Sequence, residues 1–82
     1  MVTVIFAPGF QKSFAKIRHA ELRKKITVQL HKIFSEPEIG KPMQYGRKGT
    51  REVYIPPFRL SYTYEKTIDT IYVLDLYHKD EQ

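Results

Sequence analysis

One short segment of the sequence carries an arginine among regularly spaced aromatic residues. In residues 58–64, FRLSYTY, the apolar side chains occupy every second position, as they do in a β-strand with one buried face. This alternation places Arg59 on the opposite, open face of the strand. A guanidinium held on a rigid strand can bind a phosphate or a carboxylate through parallel hydrogen bonds. The first candidate chemistry is therefore anion binding by Arg59.

The last strand-like segment, residues 70–79, supplies further candidates. We expect Asp75 to point outward, because an unpaired carboxylate buried under helices is costly. The open face is then expected to carry Arg59, Ile71, Val73, Asp75, Tyr77 and Lys79. The residues expected to face the helices are Tyr72, Leu74, Leu76 and His78.

Two simpler interpretations stay open for these residues. Arg59 can form a structural ion pair across the sheet with Asp75 or Glu65, without any chemistry. His78 points inward by its position, and such a histidine is more often a hydrogen-bonded core residue than a catalyst. A bulge at the end of the strand would turn His78 outward, so it is kept as a minor catalytic candidate.

The charge distribution favours a polyanionic partner. The chain has 82 residues and a net charge of +5, with seven basic residues against one acidic residue between positions 10 and 34. Positions 41–59 hold five basic residues against one acidic residue, and acidic residues predominate after Leu60. Such a surface attracts nucleic acid, although a solvated lysine-rich helix would look the same. The candidate nucleic-acid contacts are Lys24, Lys25, Arg47 and Lys48.

Several classes of site have no signal in the sequence. Cysteine is absent, so neither a disulfide framework nor a thiolate metal site is expected. No metal-ligand spacing, glycine-rich phosphate loop or serine–histidine arrangement stands out, and we expect no cofactor. No apolar run reaches the length of a membrane span or a signal peptide, so a cytoplasmic protein without a membrane partner is expected.

The elements that position these residues follow from the hydrophobic periodicity. Two helical series, residues 10–17 and 22–34, are out of phase, which predicts a helical hairpin with a break near Arg18–Ala20. A loop is expected over Ser35–Gly49. The predicted strands are Val2–Phe6, Arg51–Ile55, Phe58–Glu65 and Thr70–His78. We predict one domain over residues 1–82, an α+β fold of order β-α-α-β-β-β with the hairpin on one face of a small, mostly antiparallel, twisted sheet.

This order of elements, together with short motifs, resembles the RelE/ParE toxin superfamily. The motifs are Gly40-Lys41-Pro42, Gly49 and Arg51 at the start of a strand, Phe58-Arg59-Leu60-Ser61-Tyr62, and Leu76-Tyr77-His78-Lys79. The resemblance spans nearly the whole chain. Members of the RelE branch are ribosome-dependent endoribonucleases that cleave mRNA and are held inactive by an antitoxin.

The resemblance also implies roles for individual residues. Arg59 matches an arginine that supports transition-state stabilisation, and Lys79 matches a basic residue after the last strand. Arg51 lies on a strand that carries further basic residues in the RelE branch. Tyr77 is expected to stack on a base or to orient the 2′-hydroxyl. The RelE branch often carries a tyrosine beyond the final basic residue; this chain has none, so the general base is left open.

The function implied is metal-independent mRNA cleavage, in which the 2′-hydroxyl of the substrate attacks the adjacent phosphorus. The implied partners are the ribosome, mRNA and an acidic antitoxin, and the free toxin is expected to be a monomer or a weak dimer. Two alternatives stay open: a ParE-like toxin that inhibits DNA gyrase by binding, and a nucleic-acid-binding module without catalysis.

Overall fold

The structure, a computed structural model, describes residues 2–42 and 49–81 and confirms the predicted α+β architecture. Two helices pack on one face of a five-stranded sheet of order β1-β5-β4-β3-β2, in which β1 runs parallel to β5 and the other pairs are antiparallel. The elements are β1 (Thr3–Phe6), α1 (Pro8–Lys16), α2 (Ala20–Ser35), β2 (Lys41–Pro42), β3 (Thr50–Ile55), β4 (Phe58–Glu65) and β5 (Thr70–His78). Short 3-10 turns follow β4 and β5 at Lys66–Ile68 and Lys79–Glu81.

The helical hairpin breaks where the two hydrophobic series predicted it. α1 ends at Lys16 and α2 begins at Ala20, so the break is confirmed. Arg23 fastens the hairpin: one of its terminal nitrogens donates to the carbonyl oxygens of Phe14 and Ile17 at 3.0 and 2.7 Å. The carbonyl of Phe14 also accepts from the backbone nitrogen of Ile17 at 3.1 Å, so Arg23 adds a second donor there and supplies one to Ile17 just after the helix. The guanidinium also lies 4.2 Å from the ring centroid of Phe14.

The hydrophobic core lies between the hairpin and one face of the sheet. Burial of apolar surface at this interface is the main force that holds the two layers together. The buried apolar residues are Phe10, Ile17, Ile26, Leu30, Ile33, Ile55, Leu60, Tyr62, Ile71, Val73 and Leu76.

A β-bulge in β5 overturns part of the predicted orientation of that strand. Ser61 pairs with Asp75 but Tyr62 pairs with Val73, so Leu74 is an extra residue. Because a bulge shifts the alternation by one position, the two halves of β5 present opposite parities. Asp75 is exposed, as predicted, but its carboxylate borders α1, where a Cβ on Gly9 would lie 3.7 Å from its Oδ1.

Upstream of the bulge the predicted orientations were wrong. Ile71 and Val73 are fully buried in the core instead of lying on the open face. Tyr72 pairs with Thr63 on the open face instead of facing the helices, and Leu74 is the bulge residue. The physical reason is burial, because the bulge lets Ile71, Val73 and Leu76 all reach the core.

The segment predicted as a loop contains the two-residue strand β2. Its entry is fixed by Tyr62, whose hydroxyl accepts from the backbone nitrogen of Gly40 at 2.8 Å and donates to the carbonyl of Pro37 at 2.9 Å. A Cβ on Gly40 would lie 2.6 Å from that hydroxyl oxygen, so glycine is required by the close approach. In the described part of the chain, no helix is long and apolar enough to span a membrane.

Candidate active site on the open face of the sheet

Three side chains from three strands meet on the face of the sheet opposite the helices. One terminal nitrogen of Arg59 lies 3.4 Å from Oε1 of Glu52, and the hydroxyl of Tyr77 donates to Oε2 of the same carboxylate. Arg59 pairs directly with Tyr77 in the register of β4 and β5. Glu52, Arg59 and Tyr77 are called the open-face cluster below. The predicted common face of Arg59 and Tyr77 is therefore confirmed.

Glu52 is the residue that the sequence reasoning missed. Its side chain is only 6% exposed, whereas that of Arg59 is 39% exposed. A buried carboxylate needs a paired charge and hydrogen bonds, and Arg59 and Tyr77 supply both. The alternation in TREVYI was the available signal, because inward Val53 and Ile55 require Glu52 to face outward.

The ion partner proposed for Arg59 as a purely structural residue was wrong. Its partner is Glu52, and neither Asp75 nor Glu65 takes that place. Asp75 instead accepts from the backbone nitrogen of Leu76 through Oδ1 at 2.7 Å.

The Arg59 guanidinium is held from two sides and keeps donors for a ligand. Its central carbon lies 5.6 Å from the ring centroid of Tyr54, which pairs with Arg59 across β3 and β4. Among the described residues its Nε has no hydrogen-bond partner, although it is buried. Because a guanidinium has five N–H donors, the ion pair with Glu52 leaves capacity to bind an anion.

The end of β5 carries the other two catalytic candidates of the last strand. His78 pairs with Phe58 and meets its ring edge-on, with centroids 5.7 Å apart, while its Nδ1 accepts from the backbone nitrogen of Asp80 at 3.2 Å. Lys79 is exposed just beyond the strand, and its backbone nitrogen donates to the carbonyl of Pro57 at 3.0 Å. Lys79 therefore lies at the same end of the sheet as Arg59.

The structure separates Arg51 from the open-face cluster. Arg51 pairs with Tyr62, a core residue, and so lies on the helix side of β3. One of its terminal nitrogens donates to the carbonyls of Glu38 and Gly40 at 3.0 and 2.8 Å, and the other lies 3.6 Å from the Glu38 carboxylate. Arg51 and Arg59 were both predicted to be catalytic, but the pairing of β3 with β4 places them on opposite faces of the sheet.

Of the four residues predicted to contact nucleic acid, the structure describes two, Lys24 and Lys25. Lys24 and Lys25 are exposed on α2 and border a groove of about 340 Å³ that also includes Tyr54 and Pro56. This groove lies beside the edge of the sheet that carries Tyr54, the aromatic neighbour of Arg59. Arg47 and Lys48 lie outside the described residues.

Three side chains with shifted pKa values surround the entry to β2. Burial raises the pKa of the Tyr62 hydroxyl, and the hydrogen bond to Asp69 raises that of Tyr64. The hydrogen bond and charge of Lys66, whose ammonium lies 3.0 Å from the carboxylate, lower the pKa of Glu38. Within residues 2–42 and 49–81, no group of three or more histidine, cysteine, aspartate or glutamate side chains could hold a metal ion.

Comparison with known families defines the class of protein. Residues 4–82 match the model of the ParE toxin of type II toxin–antitoxin systems, parDE. The chain therefore belongs to this family, and to the RelE/ParE toxin superfamily that the sequence motifs indicated. It is a toxin of a type II toxin–antitoxin system. Among curated protein sequences, none matches this chain.

Solved structures share the fold at low sequence identity. A chain of the intact E. coli RelBE toxin–antitoxin complex is 17% identical with a TM-score of 0.81, and all of both chains is covered. For the RelBE2 toxin–antitoxin complex of Mycobacterium tuberculosis, identity is 23%, TM-score 0.80, and coverage 95% of this chain and 98% of that one. A YoeB/ParE toxin from Agrobacterium tumefaciens is 13% identical with a TM-score of 0.83, covering 94% of this chain and 98% of its own. At these identities the likeness shows the fold alone.

Proposed function

We propose that this toxin is a metal-independent endoribonuclease that cleaves mRNA on the ribosome. The observation that carries the proposal is the open-face cluster. A nearly buried carboxylate, a partly exposed guanidinium and a tyrosine hydroxyl are joined by hydrogen bonds on the open face of the sheet. Cleavage of a ribose phosphate requires a proton acceptor and a cation at one point, and this cluster provides both.

The proposed reaction is an intramolecular displacement at phosphorus. The 2′-oxygen forms a bond to the adjacent phosphorus, and the bond from phosphorus to the 5′-oxygen breaks. The 2′-hydroxyl proton passes to the oxygen of Tyr77 while the proton of Tyr77 passes to Glu52. The leaving 5′-oxygen takes a proton from water, and the products are a 2′,3′-cyclic phosphate and a 5′-hydroxyl end.

The relay through Tyr77 follows from burial. The Glu52 side chain is 6% exposed, so a ribose cannot lie directly against its carboxylate, whereas Tyr77 is only partly buried and already donates to it. In this reaction Arg59 stabilises the charge that develops on the phosphoryl oxygens, and Lys79 stabilises the leaving oxygen. Glu52 takes the role of the general base that the sequence left open.

The basic residues of the protein also determine which partners we propose. The mRNA approaches the open face, with Lys24 and Lys25 as further contacts to its backbone. An acidic antitoxin is the proposed inhibitor, because a basic face attracts an acidic chain. Several of the structures with this fold are toxin–antitoxin complexes.

Three variants test the proposal: Glu52→Gln, Tyr77→Phe and Arg59→Ala. Each should lower cleavage of mRNA on programmed ribosomes about 100-fold or more, because general acid–base and oxyanion interactions contribute at least that much. Each should also remove growth arrest on expression. The matched control is Glu65→Gln, an exposed glutamate at the end of β4, which should leave both readouts unchanged.

Thermal melts establish that each variant is folded. A folded Arg59→Ala or Glu52→Gln protein that still cleaves at the wild-type rate would refute the assignment of the active site.

The second candidate function is inhibition of DNA gyrase by binding, which the match to the ParE toxin family favours. In that case the Glu52–Tyr77 hydrogen bond has no chemical role. Glu52→Gln would then arrest growth as the wild type does, with DNA damage and filamentation. Rapid loss of translation without DNA damage supports the ribonuclease instead.

A further inference from the structure

The two-residue strand β2 brings a second cation to the open face. Lys41 pairs with Glu52, and Pro42 pairs with Arg51. Residues directly opposite on antiparallel strands share a face, with Cβ atoms about 5 Å apart. Because Glu52 belongs to the open-face cluster, Lys41 lies on the open face beside it, and it is exposed.

The register that places Lys41 there is fixed from the helix side of the sheet. Arg51 donates hydrogen bonds to the carbonyls of Glu38 and Gly40, and the Tyr62 hydroxyl accepts one from the backbone nitrogen of Gly40. The Glu38 carboxylate is bound in turn by Lys66 at 3.0 Å. A slip of one residue would turn Lys41 to the opposite face. These contacts therefore decide where the Lys41 ammonium lies, although none of them touches the open-face cluster.

The cluster has room for an additional positive charge. Among the residues that the structure describes, Arg59 is paired with Glu52, and the charges of these two groups nearly cancel each other. The phosphodiester that reacts carries one negative charge and gains another in the transition state. A compact ammonium on a flexible stem suits contact with a phosphate oxygen as a point charge.

We propose that Lys41 forms a phosphate subsite for single-stranded RNA next to the open-face cluster, and that Arg51 is a positioning residue that acts through Lys41. This inference rests on the proposed ribonuclease function. It gives Arg51 a role that fits its place on the helix side of β3, and it adds Lys41, which the charge pattern alone did not single out.

The test measures binding of a fluorescent single-stranded RNA whose 2′-hydroxyls are methylated, so that it cannot be cleaved by attack of a 2′-oxygen. Lys41→Ala should weaken binding about tenfold, the value of one charge-assisted hydrogen bond. The slope of log affinity against log salt should shrink by about 0.7, as for one lost phosphate contact on a single strand. Lys41→Arg should restore most of the affinity.

The matched control is Lys32→Ala, which removes an exposed lysine from the last turn of α2 and should change neither quantity. Arg51→Ala should weaken binding as much as Lys41→Ala, and the double variant should be no weaker than either single one. If Arg51→Ala does not fold, Arg51→Lys replaces it, because lysine keeps the charge but cannot hold two carbonyls with a planar fork.

The outcomes separate this inference from the proposed function. Equal affinities of Lys41→Ala and Lys32→Ala, or a wild-type protein that does not bind the RNA, would overturn the subsite. Additive losses in the double variant would overturn the positioning role of Arg51. Wild-type binding that depends on Lys41, without cleavage on ribosomes, would overturn the ribonuclease and leave the subsite standing.

Discussion

The hydroxyl of Tyr62 is a small group on which the entry to β2 depends, and Tyr62→Phe removes it alone. The side chain is fully buried, and its oxygen bonds the backbone nitrogen of Gly40 and the carbonyl of Pro37. Phenylalanine fills the same space without replacing either bond. Each backbone group left without a partner costs about 1 to 3 kcal/mol. The two together predict a loss of about 2 to 6 kcal/mol in the free energy of unfolding.

This loss is large for a chain of 82 residues, whose total stability is expected to be about 4 to 12 kcal/mol at typical values per residue. Urea denaturation followed by circular dichroism measures it directly as a lower midpoint with an unchanged slope. The midpoint of thermal unfolding should fall by roughly 10 °C or more. Tyr64→Phe is the control, because among the described residues the Tyr64 hydroxyl bonds the side chain of Asp69 and no backbone group. Its effect should be smaller.

The same variant has a signature at alkaline pH. Burial raises the pKa of Tyr62 above the usual 10.0, so the folded state keeps a proton that the unfolded state loses. Stability is therefore complete below pH 10.0 and falls as the pH rises above it. The fall should be shallower in Tyr62→Phe. If the free energy of unfolding of Tyr62→Phe lies within about 0.5 kcal/mol of the wild type, the two hydrogen bonds of the Tyr62 hydroxyl do not stabilise the fold as argued.

The remaining predictions concern the hairpin and the charges beside β2. Arg23→Ala should cost about 1 to 2 kcal/mol in urea denaturation, because the carbonyl of Ile17 loses the Arg23 donor and that of Phe14 keeps only the backbone nitrogen of Ile17. Arg23→Lys should recover only part of this loss. Glu38 has a pKa below 4.5 because of Lys66, so its contribution to stability is present above pH 4.5 and is lost as the pH falls below that value. In Glu38→Gln, the free energy of unfolding should therefore fall less steeply as the pH drops below 4.5. An unchanged pH dependence would show that the pair with Lys66 does not stabilise the fold.

The periodicity of the sequence predicted the elements well because burial alone determines them. The out-of-phase helical series required a break, and the break lies between Lys16 and Ala20. The bounds of β4 and β5 are also as predicted, since turn residues and alternation mark both ends. The strand β2 was missed because two residues are too few to show a hydrophobic periodicity. Its place beside β3 depends on the hydrogen bonds of Arg51 and Tyr62 to Gly40 and not on β-strand propensity.

The bulge at Leu74 shows where alternation fails as a guide. Strict alternation of side chains would place Ile71 and Val73 on the same face as Asp75. Because Leu74 is an extra residue in the bulge, both side chains lie in the core instead. A β-strand that is apolar on both faces gives no local signal for such a shift, because either parity buries apolar side chains. Only the partner strand decides the register, through the pairing of Tyr62 with Val73.

The pairing of Arg59 with Glu52 also bears on how the proposed site works. The ion pair in the free protein still leaves Arg59 able to bind phosphate, because Glu52 contacts one terminal nitrogen and the Tyr54 ring lies 5.6 Å from the central carbon. These contacts fix the guanidinium before a substrate arrives, which lowers the ordering cost of binding. A preorganised donor stabilises developing charge better than a mobile one. Glu52 is therefore expected to serve twice, as the support of Arg59 and as the final proton acceptor, so that Glu52→Gln should impair cleavage more than its loss of basicity alone would require.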